Sequence, residues 1–130
     1  MDIAGRIEAD KEILELFGMK VVELDAGVVV LSLVVRKNMV NAAGFCHGGV
    51  IFSIADSACA YALGSAGSSP ATADANISFL KAALLGDEIV ARAEVLRQGR
   101  RLGHASVDVR RDGDGELLAV YRASCANIAQ

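Results

Sequence analysis

The chain has no tryptophan, a single proline and two histidines, and only 5% of its 130 residues are aromatic. With Pro70 alone, no proline-rich linker divides it. His47 and His104 are too far apart in sequence to suggest a zinc site, and no metal is expected. Charged residues make up 22% and the formal net charge is −3. With a sequence pI near 5.3, that acidic balance counts against nucleic acid as the main partner, because phosphate binding wants a basic face. No apolar run approaches the ~20 residues of a membrane-spanning helix, so no membrane partner is expected. Repeats and low-complexity tracts are missing, and no run of like charge exceeds two residues, as in Arg100-Arg101. The cysteines, Cys46, Cys59 and Cys125, are odd in number. The start Met1-Asp2-Ile3-Ala4-Gly5-Arg6 carries an acid and no apolar leader, so a cytoplasmic chain with free thiols is expected.

What is present is apolar bulk, at 53% of residues and a mean hydropathy of +0.40. The length suits one domain over residues 1–130 that buries roughly two-thirds of its unfolded surface. The excess of apolar residues predicts a core and a subunit interface. Arg6 to Phe17 reads as one helix, with Ile7, Ile13, Leu14, Leu16 and Phe17 on a shared side and Gly18 as its C-terminal cap. Lys20–Leu24 and Val28–Arg36 read as a hairpin about Asp25-Ala26-Gly27. Val50 to Gly64 is apolar all round and predicts a helix wrapped by other elements.

Four strands follow. Thr72–Leu80 alternates, with Ala73, Ala75, Ile77 and Phe79 on one side and Thr72, Asp74, Asn76 and Ser78 on the other. Glu88–Gln98, Leu102–Arg110 and Leu117–Ile128 complete the set, the last two joined at Asp112-Gly113-Asp114-Gly115. That tetrapeptide has two calcium-type acids but lacks the remaining ligands, and a hairpin turn is expected. The fold class is α+β, an antiparallel sheet curled round a central apolar helix.

Asp56 is the only charged residue of that helix. Folding alone would favour an apolar residue there, since an ionised carboxylate taken out of water unpaired costs several kcal/mol. Either it serves a site, or it faces solvent or accepts hydrogen bonds at a crossing. Cys46-His47-Gly48-Gly49 opens the same helix, where first-turn N–H groups lack intrahelical acceptors and the dipole is positive. Glycine lets a carbonyl or anion approach that backbone, although the same pair also suits a tight turn, with His47 shaping it. An N–H cluster and a carboxylate about two turns apart are the two parts an acyl-transfer site needs. Cys46 beside His47 suggests a thiol nucleophile, but adjacent residues seldom face each other.

Asn41-Ala42-Ala43-Gly44-Phe45-Cys46-His47-Gly48-Gly49, then Asp56, then Thr72-Ala73-Asp74-Ala75-Asn76-Ile77-Ser78-Phe79-Leu80, closely resemble the hotdog-fold acyl-CoA thioesterases of the phenylacetic-acid-degradation and thioesterase-superfamily type. The resemblance extends over Gln98-Gly99-Arg100 and the Asp-Gly turn and departs at Lys81-Ala82, where the family often has a basic residue and a proline. It implies hydrolysis of small or aromatic acyl-CoA thioesters, with coenzyme A as part of the substrate and no cofactor. It also implies a homodimer with two shared sites, commonly paired again as a dimer of dimers. Asp56 would be general base or nucleophile, and Gly48 would donate its N–H to the thioester oxygen across the subunit interface. Asn41, His47 and Thr72 would orient the acyl group, the loop or the attacking water. Gly49, Lys81, Arg97, Arg100 and Arg101 would contact substrate, the arginines gripping coenzyme A phosphates unless they are solvated surface charge. Phe45, Phe52, Tyr61, Leu63 and the partner subunit would wall the acyl pocket. A non-catalytic acyl-CoA-binding module and a hydratase or dehydratase of the same fold are the alternatives.

Overall fold

A computed structural model describes residues 2–128. Helices α1 (Ile3–Ala9) and α2 (Lys11–Phe17) precede the hairpin β1 (Lys20–Asp25) and β2 (Val28–Val34). A 3₁₀ turn at Lys37–Met39 leads to the long helix α3 (Gly48–Ser65), and β3 (Pro70–Phe79), β4 (Glu88–Gln98), β5 (Leu102–Arg111) and β6 (Leu117–Asn127) follow. The six strands form one sheet in the order β1-β2-β4-β5-β6-β3, and every neighbouring pair is antiparallel. The α+β reading holds, with the sheet curled round α3. Among the described residues, no helix is long and apolar enough to cross a membrane.

The core is that wrapping. Val50, Ile51, Ile54, Ala55, Ala58, Cys59, Tyr61, Ala62 and Leu63 of α3 are buried against Leu31 and Leu33 of β2, Ile89 and Ala91 of β4, Val107 and Val109 of β5 and Tyr121 of β6. Alanines at 91, 93, 105, 119 and 123 let the sheet approach the helix closely. Gly49 is exposed and Phe52, Ser53, Asp56, Ser57, Ala60 and Gly64 are half-buried, following the helical repeat along the side the sheet leaves uncovered.

Two expectations are corrected. The single helix from Arg6 to Phe17 is two helices, starting at Ile3 under an Asp2 cap and broken at Asp10. Aspartate is a poor interior helix residue, and here its carboxylate accepts from Tyr61 Oη at 2.7 Å, tying the elbow to α3. The break turns Ile13 and Leu16 outward, leaving Leu14 as the buried residue of α2. Gly18 caps α2 as expected, in the left-handed conformation with φ 65°. Along β3 the strict alternation fails, because the register against β6 slips between Thr72 and Asp74. This bulge puts Thr72 on the helix side with Ala75 and Ile77, instead of on the opposite face. β3 is also an outer strand, with hydrogen-bonded pairing to β6 alone.

Candidate active site

α3 begins at Gly48, with His47 as its N-cap. His47 Nδ1 accepts from Gly49 N at 2.9 Å, and His47 O accepts from Val50 N at 3.0 Å and from Ile51 N. A Cβ on Gly49 would stand 3.0 Å from His47 Nδ1, so glycine there makes room for the cap. Of the first-turn amides, only Gly48 N–H meets no acceptor among the described residues. It opens on a cleft of about 360 Å³ lined by Asn41, Phe45, Ile51, Phe79, Leu80 and Lys81, among others. An unpaired N–H at the positive end of an 18-residue helix can polarise a carbonyl placed in that cleft.

Asn41 and the segment after β3 shape this cleft. Asn41 Oδ1 accepts from Ala43 N at 3.0 Å and Phe45 N at 3.1 Å, folding the loop that carries Phe45. Cys46 N donates to Ala83 O at 2.8 Å, fastening the helix approach to that segment. Lys81 forms an exposed ion pair with Glu116 at 3.9 Å. Burial pushes the Cys46 thiol up to about 11, away from the thiolate form that a nucleophile needs.

Asp56 lies two turns further along α3, half-buried and not sealed from water within one chain. Its Oδ1 accepts from Thr72 Oγ1 at 2.9 Å and from Tyr121 Oη at 2.5 Å. Oδ2 meets no donor among the described residues and is the oxygen left to accept a proton. Tyr121 is fully buried on β6, edge-on to Phe52 with ring centroids 5.4 Å apart. Burial, and after it the hydrogen bond to Asp56, pushes its phenol well above the usual tyrosine range.

The sequence reading gave Tyr121 no role. A signal was available, because Tyr121 stands among Ala119, Ala123 and Cys125 on the inward face of β6. A hydroxyl buried on such a face needs a partner, and Asp56 is the one acid on the helix opposite. Two proposed pocket walls are corrected: Tyr61 and Leu63 are fully buried in the core. Phe45 lines the Gly48 cleft, where Phe79 adds the ring that sequence reasoning did not assign.

Arg97, Arg100 and Arg101 come together at the β4–β5 turn, around a separate cleft of about 480 Å³ shared with Leu102 and His104. The predicted residues thus fall into three groups: Asn41, Gly48 and Lys81 at one cleft, Asp56 with Thr72, and the arginines. The Asp112–Gly115 segment is the expected turn, with Asp114 accepting from Glu116 N and Arg111 Nη1.

The family model described as the thioesterase superfamily matches residues 43–118. Acyl-coenzyme A thioesterase PaaI of Escherichia coli is 35% identical over 71% of this chain, and the match spans 66% of that protein's length. Acyl-coenzyme A thioesterase 13 of Homo sapiens is also 35% identical, over 74% of this chain and 70% of its own. The solved structure of the E. coli PaaI protein, from the phenylacetic acid degradation operon, superposes with a TM-score of 0.91 at 28% identity, covering 97% of this chain and 91% of that one. With sheet order, central helix and sequence in agreement, the chain belongs to the thioesterase superfamily and is a hotdog-fold thioesterase of the PaaI type.

Proposed function

We propose that the protein hydrolyses acyl-CoA thioesters carrying small or aromatic acyl groups. The observation that carries this reading is the pair of complementary ends on α3: an unpaired amide at Gly48 and a half-buried carboxylate at Asp56 with one free oxygen. Gly48 N–H would receive the thioester oxygen, and Asp56 Oδ2 would take a proton from water as that water bonds to the carbonyl carbon. The C–S bond then breaks, and the proton returns to the coenzyme A thiolate. Thr72 holds Asp56, while His47 and Asn41 hold the helix start and its loop. The aromatic and aliphatic walls of the Gly48 cleft, Phe45, Phe79, Leu80 and Ile51, suit a short or aromatic acyl group. Arg97, Arg100 and Arg101 would take the phosphates of coenzyme A.

Within one chain the two groups cannot meet a single thioester, because eight residues of helix separate them by ~12 Å. The reading therefore includes a homodimer, and pairing of dimers into a tetramer is part of it. Edge strand β3 supports a dimer contact, since an open strand of ten residues flanked by exposed Phe79 and Leu80 invites pairing. A single domain and a cytoplasmic place complete the reading.

Purified protein should release free thiol from phenylacetyl-CoA or another member of an acyl-CoA panel. Asp56→Asn should lose at least ~10²-fold in kcat with its circular dichroism unchanged. An Asp56→Asn variant as fast as wild type sinks the assignment. Tight binding without turnover across the panel would point to a binding module instead.

A further inference from the structure

We propose that Tyr121 is a positioning residue for Asp56, its buried hydroxyl fixing one carboxylate oxygen so that the other is presented to the reacting water. The proposal rests on the reading of Asp56 as the residue that activates water, and goes beyond it in naming what aims it. Oδ1 receives two donors from two different strands, Thr72 Oγ1 from β3 at 2.9 Å and Tyr121 Oη from β6 at 2.5 Å. A carboxylate held at one point can swing about its terminal torsion, which is broad for aspartate. Held at one oxygen by donors from separate strands, its plane is set and Oδ2 has a defined direction.

The support behind Tyr121 is rigid. The residue is 1% exposed, its ring is wedged edge-on against Phe52 of the helix that carries Asp56, and its strand sits inside the sheet between β5 and β3. Thr72, by contrast, reaches Asp56 from a bulged outer strand. The groups around the carboxylate are Thr72 of β3, Tyr121 and Cys125 of β6, and Cys59 of α3 itself. Burial raises the Tyr121 phenol far enough that it remains a donor wherever the carboxylate is ionised. A hydroxyl that donates to the ionised form stabilises it, so losing the hydroxyl must favour protonation.

Tyr121→Phe keeps the ring and removes only the donor. With phenylacetyl-CoA as substrate, it is expected to lower kcat about 10-fold, the worth of one hydrogen bond to a charged group, with KM within about 2-fold of wild type. The acid limb of its pH–rate profile should move to higher pH, a change a merely structural residue would not produce. An unchanged kcat and an unmoved acid limb, in a protein where Asp56→Asn is still inactive, would overturn the positioning role and leave the thioesterase reading intact. An active Asp56→Asn would overturn both.

A second measurement needs no Tyr121 variant and no turnover. The chain has only two tyrosines, Tyr61 and Tyr121, so ζ-¹³C-tyrosine labelling gives two resonances. One of them should move in Asp56→Asn, while the other, from Tyr61 bonded to Asp10, should stay in place. Two resonances indifferent to Asp56→Asn would overturn the proposal.

Discussion

Gly48 and Asp56 stand on the same helix, one at its first residue and the other two turns along, with ~12 Å of axis between them. Two groups at that separation cannot reach the oxygen and the carbon of one carbonyl, yet each is equipped for half of that task. A two-fold dimer of the proposed kind would resolve the conflict, by bringing each chain's Gly48 toward the partner's Asp56 and building two equal sites. Inactive Gly48→Pro and Asp56→Asn chains, mixed under conditions that exchange subunits, are therefore expected to recover activity. Statistical mixing gives half mixed dimers, each with one intact site, so about a quarter of wild-type turnover should return. No recovery despite proven exchange would show that each chain works alone.

The Gly48 amide can be removed without disturbing the helix. Proline is well tolerated at a first helical position, and His47, with φ −59° and ψ 136°, already has the extended backbone that a following proline requires. Gly48→Pro is expected to lower kcat by ~10²–10³-fold, the usual worth of one oxyanion-hole donor, while the melting temperature stays near wild type. Gly48→Ala is the control: it keeps the N–H, and its Cβ would meet the Phe79 ring at 3.1 Å, which Phe79 can relieve because it is half exposed. If proline and alanine behave alike, the amide is not the operative group.

Much of this was legible in the residues, for identifiable reasons. A helix apolar on every side has to be wrapped, and the one carboxylate on it has to be explained, so α3 and Asp56 could be read from composition and period alone. Thr72 was picked out by resemblance, while its geometry was hidden. Alternation assigns it to the outer face, and only the bulge after it turns its hydroxyl inward to Asp56. A bulge is a property of strand pairing, which one strand's sequence does not carry. Tyr121 could be read as a buried hydroxyl in need of a partner, but its pairing was hidden for a related reason: Asp56 lies 65 residues away, and the contact depends on β6 passing beneath the middle of α3. Asp10 misled in the other direction, since helical periodicity continues across it while its carboxylate is committed to Tyr61.

In the proposed reading, the arginine cleft serves binding and leaves the chemistry to Gly48 and Asp56. Arg97, Arg100 and Arg101 line it without an ion-pair partner among the described residues, and it lies apart from both Gly48 and Asp56. Arg100→Gln with Arg101→Gln is expected to raise KM for acyl-CoA about 10-fold or more and to leave kcat within about 2-fold. The increase should shrink at high salt, where screening already weakens phosphate contacts in wild type. The same acyl group on pantetheine, which carries no phosphate, should show no difference between variant and wild type. An equal KM effect on both substrates would place the arginines elsewhere in function.

Arg111 braces the wall of the Gly48 cleft, and its brace depends on pH. The guanidinium donates to Asp87 Oδ2 at 3.0 Å, to Ala82 O at 2.9 Å and to Asp114 Oδ2 at 2.9 Å, clamping the segment after β3 onto β5. Asp87 also accepts from Leu84 N at 2.8 Å, and that backbone donor first, then Arg111, hold its carboxyl below the ordinary value near 3.8. The unfolded chain therefore binds the Asp87 proton more readily than the folded one. The contribution is present in full above the ordinary carboxylate range and is lost as pH falls through the lower folded value. Asp87→Asn should accordingly melt below wild type at pH 6, and the two melting curves should converge as the pH is lowered toward 2. The gap should not widen on acidification, because protonated Asp87 and asparagine present Arg111 with the same uncharged partner. A gap constant from pH 6 to pH 2 would mean that the carboxylate's charge contributes nothing and that its shape alone holds the segment in place.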